Sequence, residues 1–226
     1  MPSDLRLVIF DVDGTLVDSQ GDIVAAMTEA FLSVSYPVPA RGDILGIVGL
    51  SLDVAMARLA PELSAAAQAR MVQAYKDSYM SLRAQSGAAV SSPLYPGARA
   101  LLDSLSAVPQ ILLGVATGKS RRGLDKLLEA HDMGGLFLTQ QVADTHPSKP
   151  HPSMILSAMS EMGVDARQTV MVGDTSFDMQ MAKAAGVAGL GVTWGYHPRA
   201  ALEDATALID TFDALPAALQ LLWETV

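Results

Sequence analysis

Four apolar segments, residues 5–10, 111–116, 169–172 and 188–193, break off abruptly, the first three at acidic, hydroxyl or glycine residues. Short runs of branched apolar side chains mark strands buried on both faces, as in parallel sheets. Between them the pattern turns helical over 97–106, 120–130, 152–162 and 175–185, the last stopped by Gly186 at a helix-ending position. Strand and helix in alternation predict a doubly wound α/β sheet. Residues 137–140 are expected to add a short strand and 212–224 a terminal helix.

Residues 18–90 break the alternation, with helical patterns over 21–33, 51–59 and 64–85 and no convincing strand. This predicts an inserted all-helical cap (18–90) on an α/β core (1–17 and 91–226). The exit, Gly87 and then Ser91-Ser92-Pro93-Leu94-Tyr95-Pro96-Gly97, is rich in chain-turning residues and is expected to hinge. Because the insertion follows the acidic loop after the first strand, it can fold over that loop as a lid.

Bulk properties limit the alternatives. Half of the 226 residues are hydrophobic and 17% are charged. Yet no apolar run approaches the roughly 20 residues of a membrane span. No basic region followed by an apolar stretch opens the sequence, so no secretory signal is expected. The absence of cysteine rules out disulfides and thiolate metal sites, and cytoplasmic residence is the expectation. A net charge of -9, with Lys119-Ser120-Arg121-Arg122 the longest basic cluster, argues against a nucleic-acid partner. A monomer or homodimer is expected.

Four signatures fall at or near the ends of the predicted strands. In Asp11-Val12-Asp13-Gly14-Thr15, extended backbone points both carboxylates the same way. Such a pair can supply a nucleophile and a general acid/base. Gly14 permits the tight turn, and Thr15 can donate to the nucleophile loop. Thr117 and Gly118 open a helix where a hydroxyl and backbone amides suit an anion, with Ser120 as the cap. Lys149, in the rigid Pro147-Ser148-Lys149-Pro150 loop, can neutralise phosphate and keep a carboxylate ionised. Asp174 and Asp178, one helical turn apart, offer hard oxygen ligands of the kind Mg²⁺ takes. Each signature also has a plain structural reading: a turn, a helix cap (Asp174 being a natural N-cap residue), or a solvated lysine. Their joint placement at strand tips points to one ligand site.

These motifs, in this order and with the inserted helical segment, resemble the haloacid dehalogenase superfamily of phosphatases over nearly the whole chain. The resemblance implies that Asp11 is the nucleophile that forms an aspartyl-phosphate. It implies that Asp13 is the general acid/base, its backbone carbonyl also binding Mg²⁺. It implies that Thr117, Gly118 and Lys149 take the phosphate-binding positions, Thr117 and Lys149 acting in catalysis, and that Asp11 and Asp174 hold the metal with Asp178, the last directly or through water. Dehalogenases lack the second aspartate of the first motif, so Asp13 favours phosphate chemistry.

Thr15-Leu16-Val17-Asp18-Ser19, Ser148-Lys149-Pro150-His151-Pro152 and Trp194-Gly195-Tyr196 are similar to phosphoglycolate phosphatases, which implies a small phosphorylated substrate. A sugar-phosphate mutase shares the same motifs. A signalling receiver also gathers aspartates, a threonine and a lysine, but is about half this length. Residues 47–52, where such caps carry a specificity loop, contain no charge; Arg58 or Lys76 could grip a carboxylate, or be solvated helix charges. The four histidines show no metal-ligand spacing, and the methionines, Trp194 and Trp223 read as packing.

Overall fold

The computed structural model describes residues 5–224; residues 1–4 and 225–226 of the expected core lie outside it. Six parallel strands form one sheet: β1 (Arg6–Phe10), β2 (Ile111–Thr117), β3 (Thr139–Val142), β4 (Thr169–Gly173), β5 (Ala188–Val192) and β6 (Ala207–Ile209). Their order is β3-β2-β1-β4-β5-β6. The chain winds outward from β1 in one direction and then, from β4, in the other. That reversal opens a crevice beyond the carboxyl ends of β1 and β4, where sheets of this kind bind ligands.

The first five described elements after β1 are helical: α1 (Gln20–Leu32), α2 (Arg41–Leu45), α3 (Leu52–Leu59), α4 (Ala65–Ser86) and α5 (Ala88–Ser91). The first four share an apolar cluster of their own around Ile23, Met27, Phe31, Met56 and Met71, which Phe177 joins from the sheet side. Ser64 caps α4 by accepting from the Ala67 amide, as its residue type favours. The two chain segments that join this unit to the sheet run side by side. Asp18 N donates to Pro93 O and Tyr95 N to Leu16 O, at 2.9 and 3.0 Å.

The remaining helices cover the two faces of the sheet: α6 (Ala98–Ser106), α7 (Arg121–Ala130), α8 (Ser153–Met162), α9 (Ser176–Ala185) and α10 (Leu215–Glu224). Alternate side chains of β1 divide between them. Val8 and Phe10 pack with Leu102, Leu127 and Leu219 from α6, α7 and α10. Leu7 and Ile9 pack with Ile155 and Met181 from α8 and α9. A strand buried on both sides needs an apolar residue at every position, which is why it reads as a continuous run.

Several elements differ from the expectation. β3 starts at Thr139, not 137, because its ladder begins where Thr139 pairs with Gly114. Phe137 is buried as a loop residue. The terminal helix starts at Leu215, after a 3₁₀ turn over Phe212–Ala214. Pro216 lacks an amide hydrogen and is tolerated only in a first turn, so the helix cannot begin at 212. β6, α2 and α5 were not anticipated; at three to five residues none is long enough to show a period.

Candidate active site

Strand order brings three of the four signatures together. β1 pairs with β2 through Phe10↔Val115 and with β4 through Phe10↔Val172. Asp11 N extends the second ladder by donating to Val172 O at 2.9 Å. Asp11, Thr117 and Asp174 therefore emerge from three adjacent strand ends. Lys149 arrives from the loop before α8, behind a cis Lys149–Pro150 peptide bond.

The Lys149 Nζ lies 2.7 Å from Asp11 Oδ1 and 2.7 Å from Asp178 Oδ1. All three side chains are buried, Lys149 being 2% exposed and Asp11 1%. Asp178 also holds the start of α9. Its Oδ2 accepts from Thr175 N and Thr175 Oγ1, at 3.1 and 2.6 Å, while its own amide donates to Thr175 Oγ1. This reciprocal cap makes Thr175 the N-cap residue, so Asp174 is not the capping residue that its type suggested. Asp174 Oδ1 accepts from Thr15 Oγ1 at 2.9 Å and Oδ2 from Tyr196 N at 2.8 Å. Thr15 thus orients Asp174. Gly14, at φ +88°, approaches so closely that a β-carbon would stand 2.2 Å from Asp174 Oδ2.

Asp13 points to a separate pole. Its Oδ1 meets the Nζ of Lys119 at 2.8 Å and accepts a very short hydrogen bond from Ser19 Oγ. Ser19 Oγ in turn contacts Tyr196 OH, 3.2 Å away. Lys119 and Tyr196 were missed as site residues. Their roles depend on contacts 106 and 177 residues away along the chain, and only the family-like run around Tyr196 hinted at either.

The helical unit closes on the site through the loop between α2 and α3. Ser51 N donates to Ser148 Oγ at 2.9 Å, beside Lys149. His197 Nε2 contacts Gly46 O at 3.2 Å while its Nδ1 accepts from Ser176 N, which requires the Nε2–H tautomer. Burial lowers the His197 pKa and favours that neutral form. Gly118 lies under the Gly49 and Leu50 carbonyls, in addition to any role for its amide. Thr117 is buried, and its hydroxyl accepts from Lys119 N at 3.2 Å. Arg58 lies over the Phe177 ring, 5.3 Å from its centre, and Lys76 is exposed.

Three buried carboxylates gather here, and one buried ammonium contacts two of them, Asp11 and Asp178. Burial raises the Asp11 pKa most; Lys149 pulls it back, Asp178 and Asp13 push it up, and it settles at about 7 against a usual 3.8. Asp174 is raised well above its usual value by burial and then by Asp11 and Asp178. Lys149 is raised as well, because the two carboxylates outweigh the opposing effect of burial. One carboxylate oxygen each from Asp11, Asp174 and Asp178 can be chosen so that all lie within 4.8 Å of one another. Asp11 Oδ2 is buried and has no hydrogen-bond partner among the described residues. A hard, oxygen-only donor set with an unpartnered buried carboxylate oxygen fits a divalent cation.

A doubly wound sheet with a carboxylate–ammonium cluster at its switch point is a known architecture. The chain belongs to the haloacid dehalogenase-like hydrolases, whose sequence pattern matches residues 8–192. It is 38% identical over 219 residues to a protein named "Probable phosphatase IndB" of Dickeya dadantii, covering 94% of this chain and 92% of that one. To a phosphoglycolate phosphatase of Vibrio parahaemolyticus it is 31% identical over 202 residues, covering 86% of each. Among solved structures, a haloacid dehalogenase-like family hydrolase from Streptococcus pneumoniae superposes with a TM-score of 0.81 at 26% identity, over 96% of this chain and 99% of that one. Among the described residues, no helix is long and apolar enough to cross a membrane.

Proposed function

We propose that this protein is a Mg²⁺-dependent phosphomonoester hydrolase of the cytoplasm, working through an aspartyl-phosphate on a small phosphorylated metabolite, with phosphoglycolate the first candidate. The observation that carries the reading is Asp11: one oxygen held by Lys149, the other buried and unpartnered. A nucleophile needs such a fixed, desolvated oxygen. The names of the relatives support phosphate ester hydrolysis as the reaction.

In this reading Asp11 Oδ2 attacks phosphorus, and the bond to the alcohol oxygen breaks. The departing electron pair stays on that oxygen, which takes a proton from Asp13. Water then attacks phosphorus, passes a proton back to Asp13 and releases Asp11 and inorganic phosphate. Lys149 and Thr117, with the Gly118 amide, hold the phosphoryl oxygens. Asp11, Asp174, Asp178 and the Asp13 carbonyl would hold Mg²⁺, which when bound supplies positive charge against the carboxylates and the phosphoryl group. Residues 18–90 act as a mobile cap that excludes bulk water. Asp11→Asn keeps the shape and removes the nucleophile. It should abolish hydrolysis of p-nitrophenyl phosphate with Mg²⁺ present, and turnover surviving in that variant overturns the assignment. Conversion of β-glucose 1-phosphate to the 6-phosphate would instead mark a mutase.

A further inference from the structure

Lys119 is a second buried ammonium, and the cluster around Lys149 does not use it. Its side chain is 8% exposed. The Nζ stands 2.8 Å from Asp13 Oδ1, 3.2 Å from Tyr79 OH and 5.3 Å from the centre of the Tyr79 ring. Arg83, one turn further along α4, lies over the same ring at 4.8 Å. The Arg83 Nη atoms reach Ser92 Oγ and Gly123 O, at 3.1 and 3.4 Å. Its Nε is buried and has no hydrogen-bond partner among the described residues.

The charge balance at this pole is the reverse of that at the other. Around Lys149 two carboxylates contact one ammonium; here two cations attend one tyrosine ring, and of the two only Lys119 contacts a carboxylate, Asp13. Burial and then Arg83 oppose the charged form of Lys119, and Asp13 outweighs them, so the ammonium stays charged beside a second cation. An anion between the two cations relieves their repulsion and gives the buried guanidinium nitrogen an acceptor.

The reaction proposed above fixes what lies here. Asp13 protonates the ester oxygen, so that oxygen sits beside Asp13, and the alcohol half of the substrate extends from it toward Lys119. We propose, resting on that hydrolase reading, that Lys119 and Arg83 form a subsite for an anionic group on the alcohol half. The preferred substrates are then small phosphomonoesters carrying a second negative group, carboxylate or phosphate, about two or three bonds from the ester oxygen. Lys149 serves the phosphoryl half and Lys119 the alcohol half.

The test compares esters that differ only in that group, with Mg²⁺ and the full-length protein: phosphoglycolate and ethane-1,2-diol bisphosphate, each against ethyl phosphate. Wild type should prefer at least one anionic ester by about 100-fold in kcat/KM, since a site built around a buried charge discriminates strongly against a ligand that leaves it unpaired. Which of the two is preferred separates carboxylate from phosphate. Lys119→Met should bring that preference below about threefold, while Lys119→Arg retains most of it. If Lys119→Met does not fold, Arg83→Met serves, with an expected loss of about tenfold in the same ratio. Equal turnover of charged and uncharged esters by wild type, or an unchanged preference in the methionine variants, overturns the subsite. Failure of the hydrolase reading is separately visible, as no phosphate release from any ester, p-nitrophenyl phosphate included.

Discussion

Gly118 and Leu50 meet so closely that a β-carbon on Gly118 would stand 2.7 Å from the Leu50 carbonyl oxygen, with the Gly49 carbonyl oxygen at 2.8 Å. Both obstacles are backbone and cannot swing aside. Gly118 has no positive φ, so alanine suits its own conformation and the clash acts only on the seated loop. Gly118→Ala should therefore hold the cap loop off the sheet with a stability change below about 1 kcal/mol. Turnover should drop by about 100-fold, as expected when a closing element is misplaced by an ångström. Hydrogen exchange checks the cause: the Ser51 amide, bonded to Ser148 Oγ, should lose protection in the variant.

Lys149 bridges Asp11 and Asp178, and among the described residues nothing else of its sign contacts either carboxylate. Lys149→Met preserves length and bulk and leaves both carboxylates without their ammonium. Removing one partner of a buried pair costs about 3–5 kcal/mol, so urea denaturation without metal should show a loss of that order. Added Mg²⁺ should recover part of it. Activity at saturating Mg²⁺ should remain lower by about a thousandfold, because the metal does not replace a donor aimed at the phosphoryl oxygens.

The carboxylates also set a pH dependence. Asp11 titrates near 7 in the folded protein against a usual 3.8, so between those values the folded, metal-free protein retains a proton that the unfolded chain has shed. The stability this contributes is full below about pH 4 and is lost as pH rises through 7; Asp174, raised in the same direction, adds to it. A bound cation offsets the same carboxylate charge. The rise in Tm on adding Mg²⁺ should thus be larger at pH 8 than at pH 5 by at least about 3 °C, the shift that ~1 kcal/mol produces in a chain this long. In Asp11→Asn that difference should shrink.

Which parts of this molecule were legible in its sequence follows from the range of the interactions involved. β1 and β4 announced themselves because both faces are buried and the runs Leu7–Phe10 and Val170–Val172 are apolar throughout. Asp11 and Asp174 were found because they end those runs. Lys149 stood out through the prolines that fix its loop. Lys119, by contrast, lay in an ordinary basic cluster, Lys119-Ser120-Arg121-Arg122. Only the pairing of β2 with β1 brings it to Asp13, and only the return of α4 brings Tyr79 and Arg83 to Lys119. The capping of α9 was misassigned by one residue for a similar reason. Asp174 and Thr175 are both good N-caps, and the choice between them was made by Thr15 and Tyr196, which engage both oxygens of Asp174 from distant loops.

That engagement supports a final prediction. Thr15 Oγ1 and Tyr196 N fix the two oxygens of Asp174, so the carboxylate is held in one orientation before any cation arrives. Thr15→Val keeps the branched shape and removes only the hydroxyl. Groups that orient a metal ligand typically contribute 10–100-fold in metal affinity. The Mg²⁺ concentration for half-maximal activity should rise by about that factor, with kcat at saturating Mg²⁺ within about threefold of wild type. Asp11 and Lys149 are untouched by the change, so a collapse of kcat at saturating Mg²⁺ would place Thr15 in the phosphoryl-transfer step instead. An unchanged Mg²⁺ requirement would mean that Tyr196 N alone suffices to orient Asp174.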